Sequence, residues 1–166
     1  MTREQYIRMT SRVRRVTDAL PGGAKWLRVP TYLCAALYIG TLVFLMLTHD
    51  ARLLRALLVP VACFLTVTAL RPAINRERPY DRFKAPPVGR YRRGKGKSMP
   101  SRHTASAAAI AFAVIYIFPT APVAAGMLAL CAVIAALRVL SGQHFATDVL
   151  AALLLSGVMS AVGYLL

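Results

Sequence analysis

Residues 121–166 read APVAAGMLALCAVIAALRVL, then SGQHFATD, then VLAALLLSGVMSAVGYLL: two apolar runs, Ala121 to Leu140 and Val149 to Leu166, parted by a short polar hinge. About 20 apolar residues in a helix cross about 30 Å of hydrocarbon, so each run reads as a membrane helix. Upstream, Val29 to Leu47, Arg55 to Leu70 and Ala105 to Phe118 are apolar as well. Several of these are short for a span, and the third becomes long enough if its helix begins near Ser101. The expectation is an all-α integral membrane helix bundle with about five transmembrane helices, forming one domain over residues 1–166.

Charge supports that reading. The 166 residues carry 21 Lys and Arg against 6 Asp and Glu, a formal net charge of +15, yet 57% are apolar and only 16% charged, with a mean hydropathy of +0.54. Such apolar content excludes a disordered basic tail and argues against a soluble nucleic-acid binder. Seven basic residues fall in residues 1–28 and eleven in 71–104, leaving the apolar runs almost bare of charge. A greasy soluble bundle is the competing reading, and the segregation favours the membrane. Cys34, Cys63 and Cys131 lie inside apolar runs without metal-ligand spacing, so they read as small buried side chains.

The first twenty residues are not a sixth span. Tyr6, Met9, Val13, Val16 and Leu20 recur at spacings of three and four, with Arg3, Arg8, Arg12 and Arg15 on the other faces. That suits an amphipathic interfacial helix over residues 1–23, attracted to anionic lipid, or equally a helix packed on the protein's own loops. Pro21-Gly22-Gly23 ends it. No secretory signal pattern is evident.

Three polar clusters stand at helix ends: Arg71 to Tyr80, Ser98 to Thr104 and Arg138 to Asp148. Helices that run up and down in turn bring residues 71, 104, 138 and 148 to one membrane face. Arg71, Arg78, Arg102, His103, Arg138, His144 and Asp148 then converge in a cationic pocket containing two histidines. His144 and Asp148, four apart, would sit about 40° apart on a helix. The carboxylate can fix the imidazole tautomer and free the other ring nitrogen as nucleophile or base; the plainer reading is a His and an Asp satisfying each other at a helix start. Arg138 and His144 would point about 120° apart on a continuous helix, so the Ser141-Gly142 break is what can unite them. Pro100-Ser101 reads as a helix start with Ser101 as N-cap, leaving free N–H groups that suit an anion, or simply a capped helix. His103 at that end is placed to protonate a leaving oxygen, or is an interfacial histidine.

Taken together, the clusters resemble the type 2 phosphatidic acid phosphatase (PAP2) superfamily, whose motifs are Lys-x6-Arg-Pro, Pro-Ser-Gly-His and Ser-Arg-x5-His-x3-Asp. Arg71 with Arg78-Pro79, Pro100-Ser101-Arg102-His103, and Arg138 with His144 and Asp148 follow them in order and spacing over residues 71–148. Arg71 replaces the first Lys, keeping charge but changing a point donor to a fork. Arg102 replaces Gly and Leu137 replaces Ser. The family usually has six spans, whereas five plus an amphipathic helix are read here.

The resemblance implies a metal-independent lipid phosphatase without a cofactor. His144 would be the nucleophile forming a phosphohistidine, Asp148 its orienting partner and His103 the proton donor. Arg71, Arg78, Ser101, Arg102 and Arg138 would bind phosphate. Phosphatidic acid, phosphatidylglycerol phosphate, lipid A phosphates and polyprenyl phosphates or diphosphates are the implied substrates, and membrane lipid, not nucleic acid, the partner. A multi-pass location in the cell membrane follows. The positive-inside rule puts the motif face in the cytoplasm, although loop charge held for phosphate weakens that signal. The basic stretch Arg90 to Lys97 is expected to gather anionic headgroups, to act as a lid, or to be a solvated loop. A vanadate-dependent haloperoxidase, a non-catalytic membrane protein binding anionic lipid, and a soluble phosphatase of small esters are the rival readings.

Overall fold

The computed structural model of the chain describes residues 1–94 and 96–165. Lys95, within the basic stretch, and Leu166, at the end of the last apolar run, lie outside the described residues. Helices are the only regular elements among the described residues: α1 Arg3–Asp18, a 3-10 turn Gly23–Arg28, α2 Val29–Leu47, α3 Leu53–Ile74, the single turn α4 Pro79–Arg82, α5 Arg102–Ile117, α6 Ala121–Leu140 and α7 Ala146–Leu165. The boundaries follow local chemistry. Pro30 and Pro122 stand in the first turns of α2 and α6, where a missing N–H removes no helical bond. Asn75 ends α3 in the left-handed conformation at φ 40°.

The five long apolar helices do not play equal parts. α2 with its preceding turn, α3, α6 and α7 are long and apolar enough to cross a membrane; α5 has only 16 residues, about 24 Å. α5 is the axis, packed against all four of the others. Its buried face is mostly alanine, including Ala105, Ala107, Ala108, Ala109, Ala111 and Ala113, so neighbouring backbones can approach closely. Because protein surrounds it, this helix does not need the large apolar side chains that lipid contact favours. The outer helices carry those: Leu150, Leu154, Val158 and Val162 form an exposed stripe along α7 at every fourth residue. Cys34 and Cys131 pack against α5 alanines in one cluster and Cys63 in another; all three are buried free thiols.

α1 packs on the protein's own loops. Its start is fixed by a capping box, in which Thr2 Oγ1 accepts from the Gln5 N–H at 3.3 Å and Gln5 Oε1 from the Thr2 N–H at 2.9 Å. The buried side chains are Tyr6, Thr10 and Thr17, with Met9 and Val13 half-buried, while Val16 and Leu20 of the expected stripe are exposed. Arg3 and Arg14 donate to the carbonyls of Phe83, Pro86 and Pro87. This contact leaves Arg8, Arg12 and Arg15 exposed.

Candidate active site

Asp148, in the first turn of α7 and fully buried, is the centre of the arrangement. Its Oδ2 accepts from the Ser98 hydroxyl at 2.5 Å and from the Phe145 N–H at 2.9 Å. Its Oδ1 accepts from Arg76 Nη1 at 2.7 Å. A buried carboxylate without donors is costly, and here every side of the group is met by one.

His144 lies before α7, in the Ser141–Phe145 connection, so the expected helical i, i+4 alignment with Asp148 does not occur. Its Nδ1 is 3.7 Å from Asp148 Oδ2 and 3.5 Å from Ser98 Oγ. Ser98 has one hydroxyl proton, and at 2.5 Å that proton belongs to the carboxylate. Its oxygen is therefore left to accept from a protonated Nδ1, which frees the Nε2 lone pair. Burial holds the imidazole below the usual histidine value; the nearby Asp148 carboxylate opposes this, and the Arg78 and Arg71 charges add to it. His144 is thus a neutral base near pH 7.

The Ser141-Gly142 break folds the backbone of the histidine loop back onto the end of α6. The N–H groups of Gln143 and His144 both donate to Arg138 O, at 3.2 and 3.1 Å. Gly142 turns at φ 77°, and a Cβ there would lie 2.6 Å from Tyr6 Oη, so this turn requires glycine for both conformation and space. Tyr6, buried on α1, places its hydroxyl 3.3 Å from Ala85 O and 3.4 Å from Gly142 O. α1 is therefore a backing for the histidine loop.

The other motif residues gather on the same face. Arg71, in the last turn of α3 and nearly buried, donates through Nε to Lys97 O at 2.9 Å and also through Nη2. Arg78 donates to Gly96 O and Gln143 O, each at 3.3 Å. Ser101 is the N-cap of α5, but its side chain makes no capping bond. Its N–H donates to Asp148 O at 3.1 Å and its oxygen accepts from Thr104 Oγ1 at 3.0 Å. Arg138 donates through Nη2 to Thr31 Oγ1 at 3.4 Å, and its buried Nε has no partner among the described residues.

Two clefts meet here. One of about 830 Å³ is lined by Arg78, Arg138 and His103 among others; a second of about 390 Å³ is lined largely by apolar side chains, among them Cys34, Phe64, Ile110 and Ile134. His103 and Thr31 belong to both. Arg102 is exposed and lines the apolar cleft together with His103. His144 is 3% exposed, while its neighbours Ser141 and Gln143 line the larger cleft.

Sequence reasoning missed Arg76 and Ser98. Arg76 donates to Asp148 and, at 2.6 Å, to Thr147 Oγ1, and its guanidinium lies 4.7 Å from the centre of the Phe145 ring. It stands in a run of arginines with no spacing that marks it. The available signal was a demand: a carboxylate expected to be buried needs a cation, and the nearest unassigned ones lay in the first cluster.

No curated protein sequence matches the chain. Two solved structures share its fold, each at 19% identity and a TM-score of 0.71. A transmembrane PAP2 type phosphatidylglycerolphosphate phosphatase from Bacillus subtilis aligns over 96% of this chain and 83% of its own. LpxE from Aquifex aeolicus aligns over 96% and 92%. The sequence model of the PAP2 superfamily matches residues 51–166, which include all three polar clusters and four of the five long apolar helices, and on that match the chain belongs to the PAP2 superfamily.

Proposed function

We propose that this membrane protein hydrolyses a phosphomonoester or diphosphate carried on a lipid, without a metal, through a phosphohistidine. The observation that carries the reading is His103 on the shared wall of a cation-lined cleft and an apolar one. A phosphate on a hydrocarbon tail is the ligand that needs both. His144 Nε2 attacks phosphorus; the N–P bond forms as the P–O bond to the leaving group breaks, and His103, which burial and the surrounding arginine charges hold well below the usual histidine range until an anionic phosphate offsets them, gives a proton to the departing oxygen. Neutral His103 then takes a proton from water, which attacks the phosphohistidine, releasing phosphate and restoring both histidines. Ser98 and Asp148 hold the nucleophile's tautomer. Arg71, Arg78 and Arg138 stabilise the equatorial oxygens with the Ser101 hydroxyl and the Arg102 backbone N–H, which has no partner inside its helix. The Arg102 side chain, on the apolar cleft, meets the lipid rather than the phosphate.

The exposed arginines of α1 favour an anionic headgroup layer, as expected of a helix lying at the surface of the cell membrane. Phosphate release from a panel of lipid phosphates in EDTA tests the reading. Turnover should survive chelation and vanish in His144→Ala; turnover that requires added metal would refute the mechanism.

A further inference from the structure

The larger cleft holds more positive charge than one phosphate requires. Besides Arg78 and Arg138 it is lined by Arg28, from the turn before α2, and by Arg90 and Arg92, and among the described residues no carboxylate lines it. At about 830 Å³ it has room for far more than a single phosphate, given that a water occupies about 30 Å³ of liquid.

Arginines on a loop are ordinarily solvated, but the backbone of this one is pinned. The Val88 N–H donates to Ser141 O at 2.9 Å. Gln143 Nε2 lies 3.4 Å from both Val88 O and Arg90 O, and the Tyr80 hydroxyl donates to Arg92 O at 3.2 Å. The Gly94 N–H donates to Asp81 Oδ1 at 3.1 Å. Arg90 is thus tied to the loop that carries His144, and Arg92 to α4. Like charges gathered without an acid repel one another, and an anion relieves that repulsion.

We propose that Arg28, Arg90 and Arg92 form an outer anion subsite, which takes a second phosphate-class anion beside the one at His144. The proposal rests on the phosphatase reading above. The second anion is either the inner, lipid-linked phosphate of a diphosphate substrate whose terminal phosphate lies at His144, or the headgroup of a neighbouring anionic lipid.

The test uses the full chain in neutral detergent micelles, with a lipid monophosphate and a lipid diphosphate of identical tail. In Arg90→Gln/Arg92→Gln the ratio of kcat/KM for diphosphate over monophosphate should fall at least about tenfold, the scale of one lost hydrogen bond to a charged group. Arg28→Gln should move it the same way. By calorimetry the parent should bind inorganic pyrophosphate more tightly than orthophosphate, and the double variant should lose that margin. If the ratio holds in neutral micelles but the double variant raises KM for the monophosphate only when anionic lipid is added, the neighbouring lipid supplies the anion. An unchanged ratio, an unchanged pyrophosphate margin and no lipid-dependent effect would overturn the subsite. A parent that releases phosphate from neither lipid would refute the phosphatase reading, and the pyrophosphate margin would still decide the subsite on its own.

Discussion

The buried floor around Asp148 and the open cleft beside it are both rich in arginine, and they treat charge in opposite ways. In the floor, Arg76 and Ser98 are spent on Asp148. In the cleft, Arg28, Arg90, Arg92 and Arg138 share one lining, and among the described residues no acid lines it and Arg138 Nε has no partner. The donors of the floor are already paired, whereas the arginines of the cleft are, on the proposal above, to be paired by an anion. Catalytic power should therefore reside mainly in the floor, and selectivity among phosphates in the cleft.

Replacing Asp148 should separate the two regions most strongly. Asp148→Asn keeps the shape but removes the charge that faces Arg76 and that Ser98 relays to His144. Phosphate release should fall by roughly a thousandfold or more, as when a histidine loses its orienting carboxylate, while binding of orthophosphate in the cleft persists; equal loss of both would erase the distinction. Ser98→Ala removes the relay alone. We expect kcat to fall about 10- to 100-fold with little change in KM, from steady-state kinetics on a soluble short-chain substrate.

Two smaller effects concern the loop that joins the regions. Gly142→Ala must adopt a left-handed conformation against the Tyr6 hydroxyl, so it should lower stability by about 1–2 kcal/mol in detergent. Tyr6→Phe, which loses only long hydrogen bonds, should cost about 1 kcal/mol or less. A thermal melt of each variant ranks them. Finally, because the folded protein holds His144 below its unfolded value, the unfolded chain binds more protons as pH falls through about 6.5, so stability from this group is present above that pH and declines below it. The acid limb of kcat/KM attributable to His144 should accordingly lie below about 6.5.

Much of this was legible in the residues. Apolar runs gave the helices, and their alternating direction brought residues 71, 104, 138 and 148 to one face. What escaped had physical causes. α5 reads as a weak span because alanine is only mildly apolar, yet those alanines make it the axis. The His144 and Asp148 spacing suggested a shared helix, but Gly142 turns the chain first, and a serine from 46 residues upstream fills the gap. Arg76 was hidden because one arginine in a basic run looks like the next until a buried carboxylate selects it. The stripe on α1 misled for a related reason: two of its packing contacts are threonines, whose hydroxyls bond back to their own helix and so tolerate burial.

The central claim is that His144 becomes covalently phosphorylated. Acid-sensitive phosphate on the protein, trapped by rapid quenching in alkali after mixing with a radiolabelled lipid phosphate, should appear in the parent, map to His144 and be absent in His144→Ala. Turnover by the parent with no phosphorylated histidine at any quench time, or label that persists in His144→Ala, would contradict it.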